Sequence, residues 1–349
     1  MLKLIRIILS PTVFLYKVII NLRNYLFDKG FLKTTKVDAK VISIGNLTVG
    51  GSGKTPAVIA VTKLLQKLGK KPGILSRGYG RNTKGYLLVS NEETLLVSVD
   101  QSSDEMYMAA SDCKVPSAVC ERRVEGAKRF LKETDIDTII LDDAYQHRWI
   151  KRDLNILMMD QRFLHQTGSI KQKPLPLGNM REGFASINRA DVIVINRKFN
   201  NKREIPAKLS KYFEGKKVIH CFYKTTGIYD LKTNEHFTLN EFEGQKSLIV
   251  CGIAKPFSFL KVLEENRINF SNKLLFRDHQ KYSNKEVQLI RKQFYSTNSH
   301  SVLTTQKDAV KLSKYSNELD DIDIYYLKIE IDFEEGENFY NHIKRIYEH

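Results

Sequence analysis

The sequence predicts an α/β/α sandwich with a second, smaller α/β domain joined to it through a two-stranded β linker. Three observations predict it. Short apolar runs rich in β-branched residues recur through residues 37–225 with helix-periodic stretches between them, as parallel strands joined by crossover helices require. One run, Val41–Ile44, leads into a glycine-rich loop and then an apolar pattern at Val58, Val61, Leu65 and Leu68, so strand, loop and helix follow directly. Near Thr226 the pattern breaks into a short hairpin, Ile228–Leu231 and His236–Leu239 about Lys232-Thr233-Asn234-Glu235, and a new alternating set begins.

Residues 1–36 come first and are unlike the rest. Leu4, Ile8, Phe14, Val18, Leu22 and Phe27 are interleaved with Lys3, Arg6, Lys17, Arg23 and Lys29. Pro11, Lys17 and Arg23 interrupt the single apolar core that a cleaved secretory leader needs, and there is no uncharged run of about 20 residues for a spanning helix. The segment reads as a basic amphipathic helix, either lying in a bilayer interface with its lysines near headgroups or packed against the domain core.

Residues 37–225 carry expected strands at Val41–Ile44, Gly73–Leu75, Tyr86–Val89, Pro116–Cys120, Thr138–Leu141, Leu154–Met159, Val192–Ile195 and Val218–Phe222, with a helix over Glu121–Glu133. Residues 226–243 are the hairpin linker. Residues 244–349 carry strands at Leu248–Cys251, Lys273–Phe276, Val302–Thr304 and Tyr325–Ile331, helices over Phe257–Glu265 and through Gln293, and a last helix.

An apolar fraction of 42% supports a real core without covalent staples. Cys113, Cys120, Cys221 and Cys251 show no C-x-x-C or metal-ligand spacing, which points to a reducing compartment. The formal charge of +16 suits nucleic acid, an anionic membrane or a phosphorylated substrate. Its basic residues are scattered rather than gathered with aromatics, so nucleic acid is not the expected partner.

The glycine-rich loop, Ile44–Thr55, reads I-G-N-L-T-V-G-G-S-G-K-T. Thr48, Val49, Gly50, Gly51, Ser52, Gly53, Lys54 and Thr55 form a candidate polyphosphate cradle, which makes the predicted sandwich P-loop NTPase-like. Lys54 can reach β- and γ-phosphates and Thr55 can hold Mg²⁺, so ATP and Mg²⁺ are the expected ligands. The pattern G-x-x-x-x-G-K-[ST] places glycine where this chain has Thr48, and the Gly50-Gly51 pair supplies the missing freedom.

Thr138–Asp143 is an apolar strand ending in two acids, Asp142 and Asp143, as a Mg²⁺–nucleotide site requires at a strand's carboxyl end. Asp104, after Ser102-Ser103, reads either as a helix-capping acid or as a general base for an attacking hydroxyl. Arg77 in S-R-G-Y-G-R, Arg123 after Cys120 and Arg181 in L-P-L-G-N-M-R-E stand at element ends, as phosphate-binding forks or as solvated surface arginines. His279 in F-R-D-H reads as a loop histidine or as a partner for Asp104 across a cleft. Gln146-His147 and Thr304–Asp308 are further polar clusters with the same two readings.

The motifs G-N-L-T-V-G-G-S-G-K-T-P, L-S-R-G-Y-G-R, Asp104-Glu105, D-D-A-Y-Q-H, L-P-L-G-N-M-R-E, G-I-A-K-P, F-R-D-H and T-T-Q-K-D-A-V-K-L together resemble those of tetraacyldisaccharide 4′-kinases of lipid A assembly. They occur in the same order, from the basic N-terminus to about residue 312. The resemblance implies ATP-dependent transfer of the γ-phosphate to the 4′-hydroxyl of an acylated glucosamine disaccharide 1-phosphate, giving lipid IV-A. It also implies two α/β/α domains bridged by a two-stranded linker and attached peripherally to the cytoplasmic face of the inner membrane. In that reading Asp104 is the catalytic aspartate, His279 its partner, and Asp142 and Asp143 the metal-binding acids; Arg77, Arg123, Gln146 and Arg181 are expected substrate or phosphate contacts. Ser103 and Met106 stand where the family commonly has glycine and proline, and Gln306 where it has glutamate.

A competing reading is a P-loop GTPase or metal-insertion chaperone acting as a switch. It needs a guanine-reading [NT]-K-x-D after a strand, and Ile195-Asn196-Arg197-Lys198-Phe199 lacks the aspartate.

Overall fold

The structure, a computed structural model, describes residues 2–253, 256–278 and 280–348, with side chains from residue 11 onward. Its strands are β1 (Lys40–Gly45), β2 (Pro72–Ser76), β3 (Leu87–Ser90), β4 (Ser117–Val119), β5 (Thr138–Asp142), β6 (Leu154–Asp160), β7 (Val192–Asn196), β8 (Lys217–Asp230), β9 (His236–Phe237), β10 (Lys246–Cys251), β11 (Asn269–Leu275), β12 (Ser301–Thr305) and β13 (Ile324–Phe333). The helices are α1 (Leu2–Asp28), α2 (Lys54–Lys67), α3 (Val99–Ser102), α4 (Asp104–Cys113), α5 (Arg123–Glu133), α6 (Gln161–Leu164), α7 (Phe257–Glu265), α8 (Asn284–Ser296), α9 (Gln306–Leu312) and α10 (Gly336–Lys344).

Among the described residues one 13-stranded sheet runs β11-β10-β12-β13-β8-β7-β6-β1-β5-β2-β4-β3, with β9 beside β8. Pairing is parallel except at β3–β4, β8–β13 and β8–β9. A central parallel strand is buried on both faces, which is why β1 reads as an apolar run without alternation. Ile42 and Ile44 pack with Val58, Val61 and Leu65 of α2 and Met106 of α4. On the opposite face Val41 joins Leu75, Ile139, Leu141 and Phe130 of α5. Burying each such isoleucine or leucine contributes about 1.5–3 kcal/mol. The C-terminal half repeats the arrangement, with Leu248 and Val250 against α8 and Ile249 and Cys251 against α7. All four cysteines are free and buried.

Two apolar runs expected as separate strands, Val218–Phe222 and Ile228–Leu231, fall within the single 14-residue strand β8, apart from Leu231 just beyond its end. The intervening Thr225-Thr226-Gly227 does not end the strand, because threonine suits extended backbone and Gly227 takes up a register shift against Lys328–Ile329 at φ 142°. The first part of β8 pairs with β7 and the rest with β13, so an antiparallel ribbon, Cys221–Asp230 against Tyr325–Phe333, connects the two halves of the sheet.

Helix α1 lies with its polar side toward the protein. Tyr16 Oη donates to the Arg181 carbonyl (2.9 Å), Arg23 pairs with Glu182 (3.0 Å), Asn24 is buried, and Phe27 packs edge-on against Trp149. Phe14, Leu15, Val18, Ile19 and Leu22 face outward, Phe14 with 71% of its surface exposed. No helix among the described residues is long and apolar enough to cross a membrane.

Candidate active site

In the parallel register Ile44 of β1 lies beside Asp142 of β5, so the loop after β1 and the acids after β5 leave the sheet at the same carboxyl edge. The loop turns at Gly50 (φ 96°) and Gly53 (φ 93°), and α2 starts at Lys54. A Cβ on Gly53 would sit 2.3 Å from Nδ2 of Asn196, so glycine is required there for space as well as for φ. Thr48 instead forms an extended bridge with Met180, and the Val49 N–H donates to the Asn179 carbonyl at 2.8 Å. The motif's glycine is dispensable at that position because the backbone there is strand-like.

The outer side of the loop is held by side-chain donors. Asn46 Nδ2 donates to Ser52 Oγ (2.9 Å), Asn196 Nδ2 to the Ser52 carbonyl (3.2 Å) and Lys198 Nζ to the Gly51 carbonyl (2.9 Å). With carbonyls engaged outward, the N–H groups of the first turn of α2 are available to an anion at the helix N-terminus.

Lys54 Nζ is 3.6 Å from Asp143 Oδ1, and Arg181 Nη1 is 2.7 Å from the same oxygen. Burial by itself raises the Asp143 carboxyl, but Lys54 and Arg181, with Arg123, more than offset it and hold the group below the usual carboxylate range. Asp142 behaves oppositely: burial, then the neighbouring Asp143 charge, push it upward. Its Oδ2 accepts from Ser76 Oγ at 3.2 Å, while Oδ1 is buried with no hydrogen-bond partner among the described residues. Arg123 is buried beside these acids, Nη1 donating to the Cys120 and Glu121 carbonyls, and its burial brings its pKa down to about 10 against the pull of Asp142 and Asp143. Gln146 Nε2 donates to the Asn46 carbonyl (2.9 Å), tying the segment after the acids to the loop. Arg77 is exposed on the turn after β2.

Asp104 is the first residue of α4 and is 8% exposed. The S-R-G-Y-G-R turn runs from the acids to the segment just before Asp104. Ser76 holds Asp142 and accepts from the Gly78 N–H (3.4 Å), and a Cβ on Gly78 would lie 3.1 Å from the Ser102 carbonyl. From the C-terminal half, Lys307 of α9 reaches 3.5 Å from Asp104 and 2.6 Å from Glu105, and Lys311 lies 3.9 Å from Asp104. Burial, then Asp104, push Glu105 up to about 7 despite Lys307. A cavity of about 530 Å³ borders Thr48–Ser52, Asp160 and Arg162 on one side and Asp278 of the C-terminal half on the other.

A sequence profile described as LpxK, tetraacyldisaccharide-1-P 4′-kinase, matches residues 5–348. The chain belongs to the tetraacyldisaccharide 4′-kinase family. A tetraacyldisaccharide 4′-kinase of Aquifex aeolicus (strain VF5) is 34% identical over 345 residues, covering 99% of this chain and 100% of the relative. Another, of Pelodictyon phaeoclathratiforme, is 36% identical over 349 residues, covering 95% and 94% of the two chains. The crystal structure of LpxK from Aquifex aeolicus in complex with ATP superposes with a TM-score of 0.81 at 34% identity, covering 98% of this chain and 99% of the other.

Within this tetraacyldisaccharide 4′-kinase fold the structure gathers the loop Thr48–Thr55, Asp142, Asp143, Arg123, Gln146 and Arg181 around one edge, and the Ser76–Gly78 turn beside Asp142 passes close to Ser102, two residues before Asp104. His279 lies outside the described residues; its neighbour Asp278 borders the cavity. The departure at Ser103 changes the residue and keeps a glycine-type backbone, φ 100° and ψ 151°, which costs a serine about 1–3 kcal/mol. Lys307, within the polar cluster Thr304–Asp308, and Lys311, one turn further along α9, carry no local sign that Asp104 is the group they face. Asn196 and Lys198, which read only as an incomplete guanine motif, turn out to be buried behind the phosphate loop.

Proposed function

We propose that this chain transfers the γ-phosphate of ATP to the 4′-hydroxyl of a tetraacyldisaccharide 1-phosphate, forming lipid IV-A in lipid A biosynthesis. The observation that carries the reading is the glycine-turned loop with Lys54 against Asp143, at the strand edge where Asp142 also ends. Lys54 and the N–H groups of Gly51–Thr55 hold the β- and γ-phosphates. A buried, unpartnered Asp142 oxygen, a second carboxylate at Asp143 and the Thr55 hydroxyl are the hard oxygen donors that Mg²⁺ takes. Asp142, Asp143 and Thr55 would hold the ion, which would supply charge neutralisation for the transferred phosphoryl group.

Asp104 accepts the proton of the attacking sugar hydroxyl, with His279 proposed as its orienting partner. Lys307 reaches the acid pair from the opposite half, bonding Glu105 at 2.6 Å and lying 3.5 Å from Asp104, so its charge steadies both carboxylates. Arg77, Arg123, Gln146 and Arg181 are the proposed substrate or phosphate contacts, Arg77 from an exposed turn and Arg123 from the buried side of the acids. We read residues 37–225 as the nucleotide-binding domain, 226–243 as linker and 244–349 as the second domain. The outward apolar face of α1 suits peripheral attachment at the cytoplasmic face of the inner membrane, where the acceptor's acyl chains reside.

The test is transfer of labelled γ-phosphate to a tetraacyldisaccharide 1-phosphate. Lys54→Ala and Asp104→Asn should each lower kcat/KM by about 100-fold or more. Undiminished transfer by the Asp104 variant would remove it from the base role, and GTP outcompeting ATP would favour a switch protein.

A further inference from the structure

The carboxyl ends of β6 and β7 carry a charged cluster that the proposed chemistry does not use. Asp160 ends β6 and Asn196 ends β7, and with Lys198 all three are buried, at 5%, 0% and 5% exposure. Lys198 Nζ lies 3.0 Å from Asp160 Oδ2 and donates to the Gly51 carbonyl at 2.9 Å. Its backbone sits at φ 56°, and its N–H donates to Asn196 Oδ1 at 2.8 Å. That bond orients the Asn196 amide so that Nδ2 reaches the Ser52 carbonyl. The two loop carbonyls that would otherwise be free to turn inward are therefore both captured from behind.

We propose that Lys198 and Asn196 are positioning residues for nucleotide binding, holding the Gly51 and Ser52 carbonyls outward so that the loop's N–H groups stay aimed at the polyphosphate. The assignment rests on the reading of Gly50–Thr55 as the ATP cradle. A peptide unit has its carbonyl and its N–H on opposite sides, so fixing Gly51 C=O and Ser52 C=O outward fixes the Ser52 and Gly53 N–H groups inward. With Gly50 and Gly53 at positive φ and no side chain on Gly51, the loop has little intrinsic stiffness. An ammonium buried at the cost of its hydration is a strong donor for the task, and Asp160 compensates its charge. In a guanine-reading protein an Asn-Lys pair at this strand end faces the base; here both side chains are committed to the loop backbone.

A structural role and a positioning role separate in the pair of variants Lys198→Met and Asp160→Asn/Lys198→Met. The double variant removes the buried charges together, so it should recover most of the thermal stability that the single one loses. Both should bind a non-hydrolysable ATP analogue about tenfold to a hundredfold more weakly than wild type, the affinity counterpart of one charge-assisted hydrogen bond. KM for the lipid acceptor should stay unchanged. Asn196→Ala, which removes an amide and no charge, should raise the analogue's Kd in the same direction. Wild-type affinity in the double variant would overturn the proposal, since Lys198 would then serve only to neutralise Asp160. Lys54→Ala is the control for the cradle itself: if it binds the analogue normally, the loop reading fails whatever the Lys198 variants do.

Discussion

Glu182 is the anchor on which the orientation of α1 depends. Its carboxylate is fully enclosed and takes Arg23 at 3.0 Å, Asn24 at 3.3 Å and Arg189 at 2.5 Å. Glu182→Gln preserves the volume and deletes the charge. Arg189, 18% exposed, loses its close counterion, while Arg23, 31% exposed, regains part of its hydration and returns less of the loss. Three charge-assisted contacts at full value would sum to well above what such a site yields; discounting the two arginines for their access to water leaves about 3 kcal/mol. In urea denaturation that corresponds to a fall of about 1 M in the midpoint. The other described attachments, Arg148 to the Asn24 carbonyl and to Asp28 and Phe27 against Trp149, cluster at the far end of α1, leaving Tyr16 to the Arg181 carbonyl nearer its start, so trypsin should cut after Lys17 and Arg23 sooner than in wild type. An unchanged midpoint with unchanged cleavage would refute the reasoning, because the buried carboxylate would then be contributing nothing to the docking of α1.

Gly53→Ala should abolish nucleotide binding and cost about 2–4 kcal/mol, since the new methyl group meets the buried Asn196 amide at 2.3 Å in a left-handed backbone; calorimetric titration with an ATP analogue checks it. His147 is held down to about 4 by burial and then by Arg123, with Nδ1 unpartnered among the described residues. The folded state therefore binds fewer protons than the unfolded chain between about pH 6.5 and 4, stability falls as pH drops through that window, and His147→Gln should flatten the wild-type slope by up to about 1.4 kcal/mol per pH unit. Chelation should stop phosphate transfer and added Mg²⁺ restore it, whereas Asp142→Asn should need more Mg²⁺ for half-maximal rate. Ile19→Glu with Leu22→Glu should reduce flotation with anionic vesicles while leaving thermal stability within about 0.5 kcal/mol, because both side chains face outward; undiminished flotation would end the interfacial role of α1.

Much of this molecule follows from local chemistry. Val41–Ile44 reads as a buried parallel strand because every residue in it is apolar or small, and Gly50, Gly53 and Lys54 mark a tight turn into a helix because glycine permits the positive φ found there and the apolar pattern of α2 follows at once. Asp142 and Asp143 were legible for the same reason, as acids ending an apolar run. Tertiary structure decided the rest. Asn196 and Lys198 show their role only once β7 is placed two strands from β1, and Lys307 meets Asp104 only because the β8–β13 ribbon brings the C-terminal half against α4. The face that α1 turns outward could not be read from its amphipathic pattern, since a helix with one apolar and one basic side can dock by either. Glu182, a residue 158 positions away from Asn24, selects the polar side by offering arginine and asparagine a buried carboxylate. Local spacing encodes which chemistry a residue can do, and long-range packing determines which partner it does it with.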